Sequence, residues 1–339
     1  MAAWFFRKIY STFLPTLLGA SLLSFFLLRM VPGDPVLNLL GERGGNPEMV
    51  EAMRARLGLD KPLLEQYGIF MSQAIRGDLG QSVISKEPVL VEFAARMPAT
   101  LELAIVALFW TIMIGIPLGI LAAHFRGWVD VGVVGISLIG SSLPIFWWAL
   151  VLILYVSVGW NLLPVSGRIA VQYDVPLWSG FLLIDVWRTE EPWPAFISAL
   201  RHLMLPSLVL GTVNLALLLR MVRSGILEAM DEDFVRLARA KGAGRFRVLW
   251  VHALRSAWVP VVTVLGLMVG SLLTGAVITE TIFSWPGVGK WIVKSLEARD
   301  YPVIQGAILL FAAMMLMVNL LVDVIYLWVD PRMRKGLSS

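Results

Sequence analysis

Between Arg223 and Pro260 the chain reads RSGILEAMDEDFVRLARAKGAGRFRVLWVHALRSAWVP. This is the longest charged run between two strongly apolar segments, LMLPSLVLGTVNLALLLRMV (203–222) and VVTVLGLMVGSLLTGAVIT (261–279). Each flank has the roughly 20 residues that a helix needs to cross the hydrocarbon of a bilayer. Arg223, Arg236, Arg239, Lys241, Arg245, Arg247 and Arg255 outnumber Glu228, Asp231, Glu232 and Asp233, so the positive-inside rule places this loop in the cytoplasm.

The loop reads as structured. Asp231 or Asp233 is suited to cap a helix beginning at the Glu232–Val235 step. Phe234, Leu237, Ala238 and Lys241 recur at helical spacing. Gly242 and Gly244 break that helix, and a second short one, Phe246–Leu254, leads into the membrane. Helix, glycine break and helix together present Ala238 and Ala240, ringed by Arg and Lys, to a partner in the cytoplasm. The residues alone leave open a plainer reading, a solvated basic loop that only fixes topology.

Composition bounds the rest. Of the 339 residues 58% are hydrophobic and 15% charged, against roughly 25% charged in ordinary globular domains. Tryptophan is abundant, at 14 residues, as expected where rings anchor at membrane interfaces. The absence of cysteine excludes disulfides, thiolate nucleophiles and Cys-ligated metal sites. The net charge of +4 sits mostly on loops read as cytoplasmic, so no nucleic-acid partner is needed to explain it. His124, His202 and His252 fall on different loops, no catalytic triad motif occurs, and no metal site is expected. Gly287–Lys290 (GVGK) lacks the earlier Gly and the following Ser/Thr of a phosphate-binding loop. Carboxylates are expected in loops, unpaired within spans, with Glu102 at the outer end of its span. A proton-driven carrier would bury ionisable groups in mid-membrane, so self-powered transport is disfavoured.

Taken in order, the chain divides into four parts. Residues 1–30 hold a short N-terminus and a first span, Ile9–Leu28, read as uncleaved rather than as a signal peptide. Residues 31–97 form an external insert, with an ordered turn at MVPGDP (30–35). A helix from Glu48 to Leu57 follows, capped by Asn46 and stopped by Gly58, and then a second helix, Pro62 to Arg76. The apolar face of the second helix is Leu63, Leu64, Tyr67, Phe70, Met71, Ala74 and Ile75, expected to pack on the chain's own spans. Residues 98–330 hold five further spans, at 99–123, 131–158, 203–222, 261–279 and 303–328, with the loop 223–256 among them. Residues 331–339 are a basic tail. Gly115 and Gly119 form a close-packing pair on the second span. Ser141, Ser142 and Pro144 loosen the third span, and Trp147 could line a path or meet lipid. Phe181–Val186 dips into the interface. Asn214, in the middle of the fourth span, is either glue between helices or lining of a path. Ser141, Ser142, Trp147 and Asn214 are therefore the path candidates. Both termini fall in the cytoplasm.

The stretch RLARAKGAGRFRVLWVHALRSAWVPVVTVLG resembles the EAA loop of ABC-importer permeases, in the form of the dipeptide/oligopeptide/nickel branch. Arg236, Leu237 and Ala238 stand where the general pattern has Glu-Ala-Ala, and Gly242 stands at its Gly. Arg236 departs from the wider family, so no role is carried over from that Glu. MVPGDP…LGLDKP…Y…GDLGQS, SLPIFWW with NLLPVSGR, and FSWPGVGK…RDYPV are similar to the same branch. The likeness runs from Arg7 to Arg334 and is greatest to dipeptide permeases. It implies an all-α integral membrane protein with six transmembrane helices, of the type I ABC-importer kind, with a helical external insert after the first span. It implies that Asp231, Asp233, Phe234, Arg236, Ala238, Arg239, Ala240, Lys241 and Gly242 form a coupling helix docked on an ATPase subunit. It also implies a homologous second permease, two ABC ATPases, an external substrate-binding protein and a bacterial inner membrane. No cofactor is expected in this chain, ATP and Mg being held by the ATPases. The implied substrates are dipeptides or short peptides, with haem, nickel, glutathione or oligopeptides as alternatives within the branch. A proton-coupled carrier, an ion channel and a membrane enzyme are the rivals from other classes.

Overall fold

The computed structural model describes residues 8–30, 47–56, 58–125 and 127–329. The MVPGDP turn after Met30, the Asn46 cap, Leu57 and the basic tail lie outside these residues. Helix α1 (Leu14–Met30) follows a π-helical turn, Ile9–Phe13. Next come α2 (Pro47–Arg56), α3 (Leu63–Ile75), α4 (Val89–His124) and α5 (Trp128–Ser142). Helix α6 (Ile145–Leu152) continues into a π-helical turn, Ile153–Gly159. Then follow α7 (Leu182–Asp185), α8 (Pro192–Met230), α9 (Asp233–Ala240) and α10 (Arg245–Arg247). A π-helical stretch, Val248–Ala253, joins α10 to α11 (Leu254–Ile282). The chain ends in α12 (Val288–Glu297) and α13 (Tyr301–Val329). Among the described residues there is no strand, and β pairing is confined to one bridge, Gln81 with Pro88.

Five segments are long and apolar enough to cross a membrane: Tyr10–Met30, Val89–His124, Pro192–Met230, Pro260–Ile282 and Tyr301–Val324. A bent pair, α5 with α6 and its π-turn, folded by 103°, makes a sixth candidate when counted as one span. The sequence suggested one loosened helix at 131–158, and the structure corrects that to two. Leu143 and Pro144 are extended, with ψ of 136° and 134°. Pro144 has no N–H to offer. The Ser141 and Ser142 hydroxyls both donate to Leu138 O, at 3.0 and 2.8 Å, occupying the carbonyl at the end of α5. Helices α4 and α8 run well past their apolar cores. At 39 residues α8 is about 58 Å long, far more than the hydrocarbon requires.

The residues group into two compact units. In the first, residues 1–97 with 287–317, α3 packs on α1 as expected. The Tyr67 ring meets Phe25 edge-on at 5.3 Å, and its hydroxyl lies 2.9 Å from Ser21 Oγ. The inward face differs from the expected one. Gln66 is buried, accepting from Arg29 Nε at 2.8 Å and donating to Lys61 O, while Leu63, Leu64 and Ile75 face outward. Asp300 gathers the loop before α4: Ser82 Oγ and the Val83 N–H donate to its carboxylate at 2.6 and 3.0 Å. Trp291 Nε1 donates to Glu92 at 3.0 Å, and Arg96 pairs with the same carboxylate.

The second unit, residues 98–286 with 318–339, is centred on α8. Its core cluster joins Ile120 and Ala123 of α4 to Leu218, Val222 and Ile226 of α8 and to Ala257 and Val261 of α11. A Cβ on Gly115 would stand 3.0 Å from Leu218 Cδ2, and one on Gly119 only 2.7 Å from Val222 Cβ. The glycine pair thus serves close helix packing. Glu102, expected at an interface, is instead buried at 5% exposure. Its carboxylate accepts from Arg168 at 2.7 Å and from the Leu183 N–H at 2.8 Å, and those partners make burial tolerable. The expectation that carboxylates avoid pairing within spans is corrected here. Within residues 181–186, Leu182 and Val186 are buried against Ala195 and Ala199 of α8, and Asp185 accepts from the Ser179 and Gly180 N–H groups.

Gly119→Val is expected to cost about 1–3 kcal/mol by overpacking against Val222. Gly132→Ala, with nothing within 4 Å of its Cβ, should be neutral. Arg168→Met leaves a buried carboxylate without its cation and should cost about 3–5 kcal/mol. Thermal unfolding of the three variants in detergent checks the ranking.

Candidate functional site

The loop between α8 and α11 is a folded unit. Helix α8 ends at Met230 with Asp231 as its C-cap, and α9 starts two residues later. Neither Asp231 nor Asp233 caps α9. The N-cap is Glu232, extended at φ −75°, ψ 149°, with no side-chain cap bond. Asp233 instead pairs with Arg236 at 3.3 Å on the open surface. The helix stop is as the glycine predicts. Gly242 has φ +83°, its N–H donates to Arg239 O at 2.9 Å, and the Ala243 N–H reaches back to Ala238 O at 3.1 Å. This double bond pattern satisfies the last carbonyls of α9 and needs a left-handed residue at the turn. The second helix does not end at Leu254: α10, the π-stretch and α11 run on without a break to Ile282.

An eight-residue helix is marginal by itself and must be seated. Val235, fully buried, is the anchor of α9, with Ala238 half-buried beside it. Phe234 and Leu237 are 41% and 56% exposed, and Ala240 and Lys241 are exposed with them. The sequence periodicity therefore marked the outward face, and Val235, which fell outside that pattern, is the one that holds the helix. Arg236 and Arg239 are exposed at its sides, Arg239 also donating to Met230 Sδ at 3.7 Å. A second exposed feature was missed: Phe246 and Trp250, at i and i+4, lie with ring centroids 5.7 Å apart. Their spacing was the available signal. Beneath the loop, Val248, Leu249 and Ala253 are buried. A cleft of about 590 Å³ opens between the ends of α4 and α8, α9 and Leu249, with Asp231 and Arg239 among its lining.

The path candidates separate into two places. Ser141, Ser142 and Trp147 sit around the α5–α6 bend, with Trp147 46% exposed. The two serine hydroxyls are engaged with backbone, so they shape the bend. Asn214 is buried between α8 and α11, where its Oδ1 accepts from Ser271 Oγ at 2.9 Å. That bond is interhelical glue. Near the other end of α11, Glu280 is fully buried and accepts from the Thr100 hydroxyl at 2.6 Å. On α12, burial pushes the Lys290 ammonium below the usual lysine range, with the like charge of Lys294 adding to the effect.

The loop thus has an exposed apolar centre with a charged rim, mounted between two long helices. Long apolar helices carrying such a loop define a multi-pass membrane protein. The chain belongs to the family of binding-protein-dependent transport system inner membrane components, whose model matches residues 115–335, with the companion N-terminal model matching residues 1–104. It is 51% identical over 328 residues to the dipeptide transport system permease protein DppB of Escherichia coli (strain K12), covering 95% of this chain and 96% of that one. It is 48% identical over 333 residues to the di/tripeptide transport system permease protein DppB of Pseudomonas aeruginosa (strain UCBPP-PA14), covering 97% and 98%. It is 42% identical over 320 residues to the probable D,D-dipeptide transport system permease protein DdpB of E. coli (strain K12), covering 94% of each.

Val235→Ala should loosen α9 and Gly242→Val should strain its stop, the latter by roughly 1–2 kcal/mol for a left-handed β-branched residue. Limited proteolysis in membranes is expected to cut both variants faster than the parent within residues 231–247, with unchanged cutting elsewhere.

Proposed function

We propose that this chain is the membrane-spanning subunit of an ATP-driven importer of dipeptides or short peptides. The observation that carries the reading is α9: a short helix seated through Val235, showing Phe234, Leu237 and Ala240 outward among Arg and Lys. The three relatives, named for dipeptide, di/tripeptide and D,D-dipeptide transport, support the substrate class. In this reading residues 231–242 dock in a groove on a separate ATPase subunit. Two such ATPases hold ATP and Mg, and this chain holds neither. A homologous second permease completes the passage, and a binding protein outside delivers the peptide. The basic loop 223–256 and both termini face the cytoplasm.

The mechanism follows from rigid elements. Closure of the ATPases on ATP pulls α9. Its seat is continuous with α8, at one end, and with the rod from α10 through α11, at the other. Both long helices tilt as bodies and switch the passage from inward-open to outward-open, and hydrolysis resets them.

Ala240 is exposed, so Ala240→Asp should leave the fold intact while placing a carboxylate in the docking face. ATPase and second permease should co-purify with the parent chain, and the ATPase should be lost from the variant. Uptake of labelled dipeptide into vesicles should require ATP and stop with vanadate but not with a protonophore. Retention of the ATPase by the variant, or vanadate-resistant uptake driven by a proton gradient, would overturn the reading.

A further inference from the structure

Along one side of α8 a groove of about 760 Å³ lies against α5, well away from α9. Val131, Val134 and Leu138 of α5 and Leu217 and Met221 of α8 make its walls. Gly135 widens it, since nothing lies within 4 Å of where its Cβ would be. One end of the groove is charged. Arg223 is paired with Asp130 through both guanidinium and carboxylate branches. Arg220, beside it, is exposed and donates Nε to Ala216 O at 3.2 Å, and among the described residues it makes no ion pair. The Ser224 hydroxyl is at the same end.

This charged end stands where the span leaves the hydrocarbon. The run Leu203–Leu219 has no charged residue, and its 17 positions cover about 25 Å of helix, close to a membrane's apolar thickness. Arg220 is the next residue. The α5 residues descend from Asp130 to Leu138 alongside, so the apolar part of the groove extends from the cation toward the bilayer centre. With Asp130 and Arg223 cancelling, the end carries one net positive charge. That matches one phosphodiester with an acyl chain attached.

We infer that the α5–α8 groove is a site for one anionic phospholipid, its phosphate on Arg220 and one acyl chain lying past Gly135. A cation near an anionic membrane surface is worth a factor of about 5 in binding. The occupant is a lipid and not a free anion because the apolar groove continues from the cation for about two helical turns.

The test is native mass spectrometry of the full-length chain extracted with its membrane partners, in three forms: parent, Arg220→Gln and Gly135→Leu. Both substitutions are at open positions and should preserve the assembly. Phosphatidylglycerol, phosphatidylethanolamine and inorganic phosphate are added in turn. The parent should keep one phosphatidylglycerol in preference to phosphatidylethanolamine, and millimolar phosphate should not displace it. Arg220→Gln should lose that preference by about 5-fold. Gly135→Leu should lose lipid of either headgroup. Equal retention by parent and Arg220→Gln would overturn the inference. So would a lipid-free parent; cross-linking of a Leu138→Cys variant, the sole thiol in an otherwise cysteine-free chain, to another protein chain would then mark the groove as a protein seam.

Discussion

A Cβ on Gly225 would lie 2.9 Å from Cβ of Ala257, so α8 and α11 touch almost backbone to backbone just below the 231–247 loop. Little else in the second unit could be arranged as it is without that approach. In lipid there is no hydrophobic drive between helices, and close contact of small residues takes its place. Gly115 and Gly119 bring α4 against the same helix, and a Cβ on Gly211 would stand only 2.9 Å from Ala107 O. Thr111 Oγ1, which contacts both Ala107 O and Gly211 O, fastens that crossing. Helix α8 is thus gripped on two sides by backbone contact, and its end cannot move without moving its neighbours.

The polar groups obey a companion constraint. A buried carboxylate costs several kcal/mol unless it is bonded, and those described here are bonded. Glu102 takes Arg168 and a backbone N–H, Glu92 takes Arg96 and Trp291, Glu280 takes Thr100, and Asp185 takes two N–H groups. These acids tie elements together. Glu102 with Arg168 holds the segment before α7 to α4, and Glu92 holds α12 to the start of α4 through residues of one unit. The argument against a proton-driven carrier, which began from an expectation of few buried acids, now rests on their engagement: each is held by a hydrogen-bond donor.

The exposed face of α9 follows from the same rigidity. Helix α9 contributes one buried residue, Val235, a half-buried Ala238 and a left-handed stop, and its other side chains are exposed. A surface held by so little of its own side-chain burial depends on the firmness of its two mounts. Both mounts, α8 and the continuous rod leading into α11, are long helices locked by the glycine contacts.

The sequence by itself determined the class of this protein. Apolar runs of about 20 residues separated by basic and neutral loops fix a multi-pass helical fold, because lipid leaves the backbone no other way to satisfy its polar groups. Gly242 fixed the end of α9, because the left-handed turn strains other residues, and the pair Gly115 and Gly119 announced a close crossing. Tertiary structure decided what a one-dimensional pattern does not encode. Periodicity marked a face at Phe234, Leu237 and Lys241 but could not say whether it pointed in or out; the folded structure buries Val235 instead. Ser141, Ser142 and Pro144 signalled weakness, but the 103° angle between α5 and α6 is visible only in the folded chain. Glu102 was assigned to an interface because its partner Arg168 is 66 residues away along the chain. Whether a carboxylate can be buried depends on which cation reaches it in space, and local sequence holds no record of that.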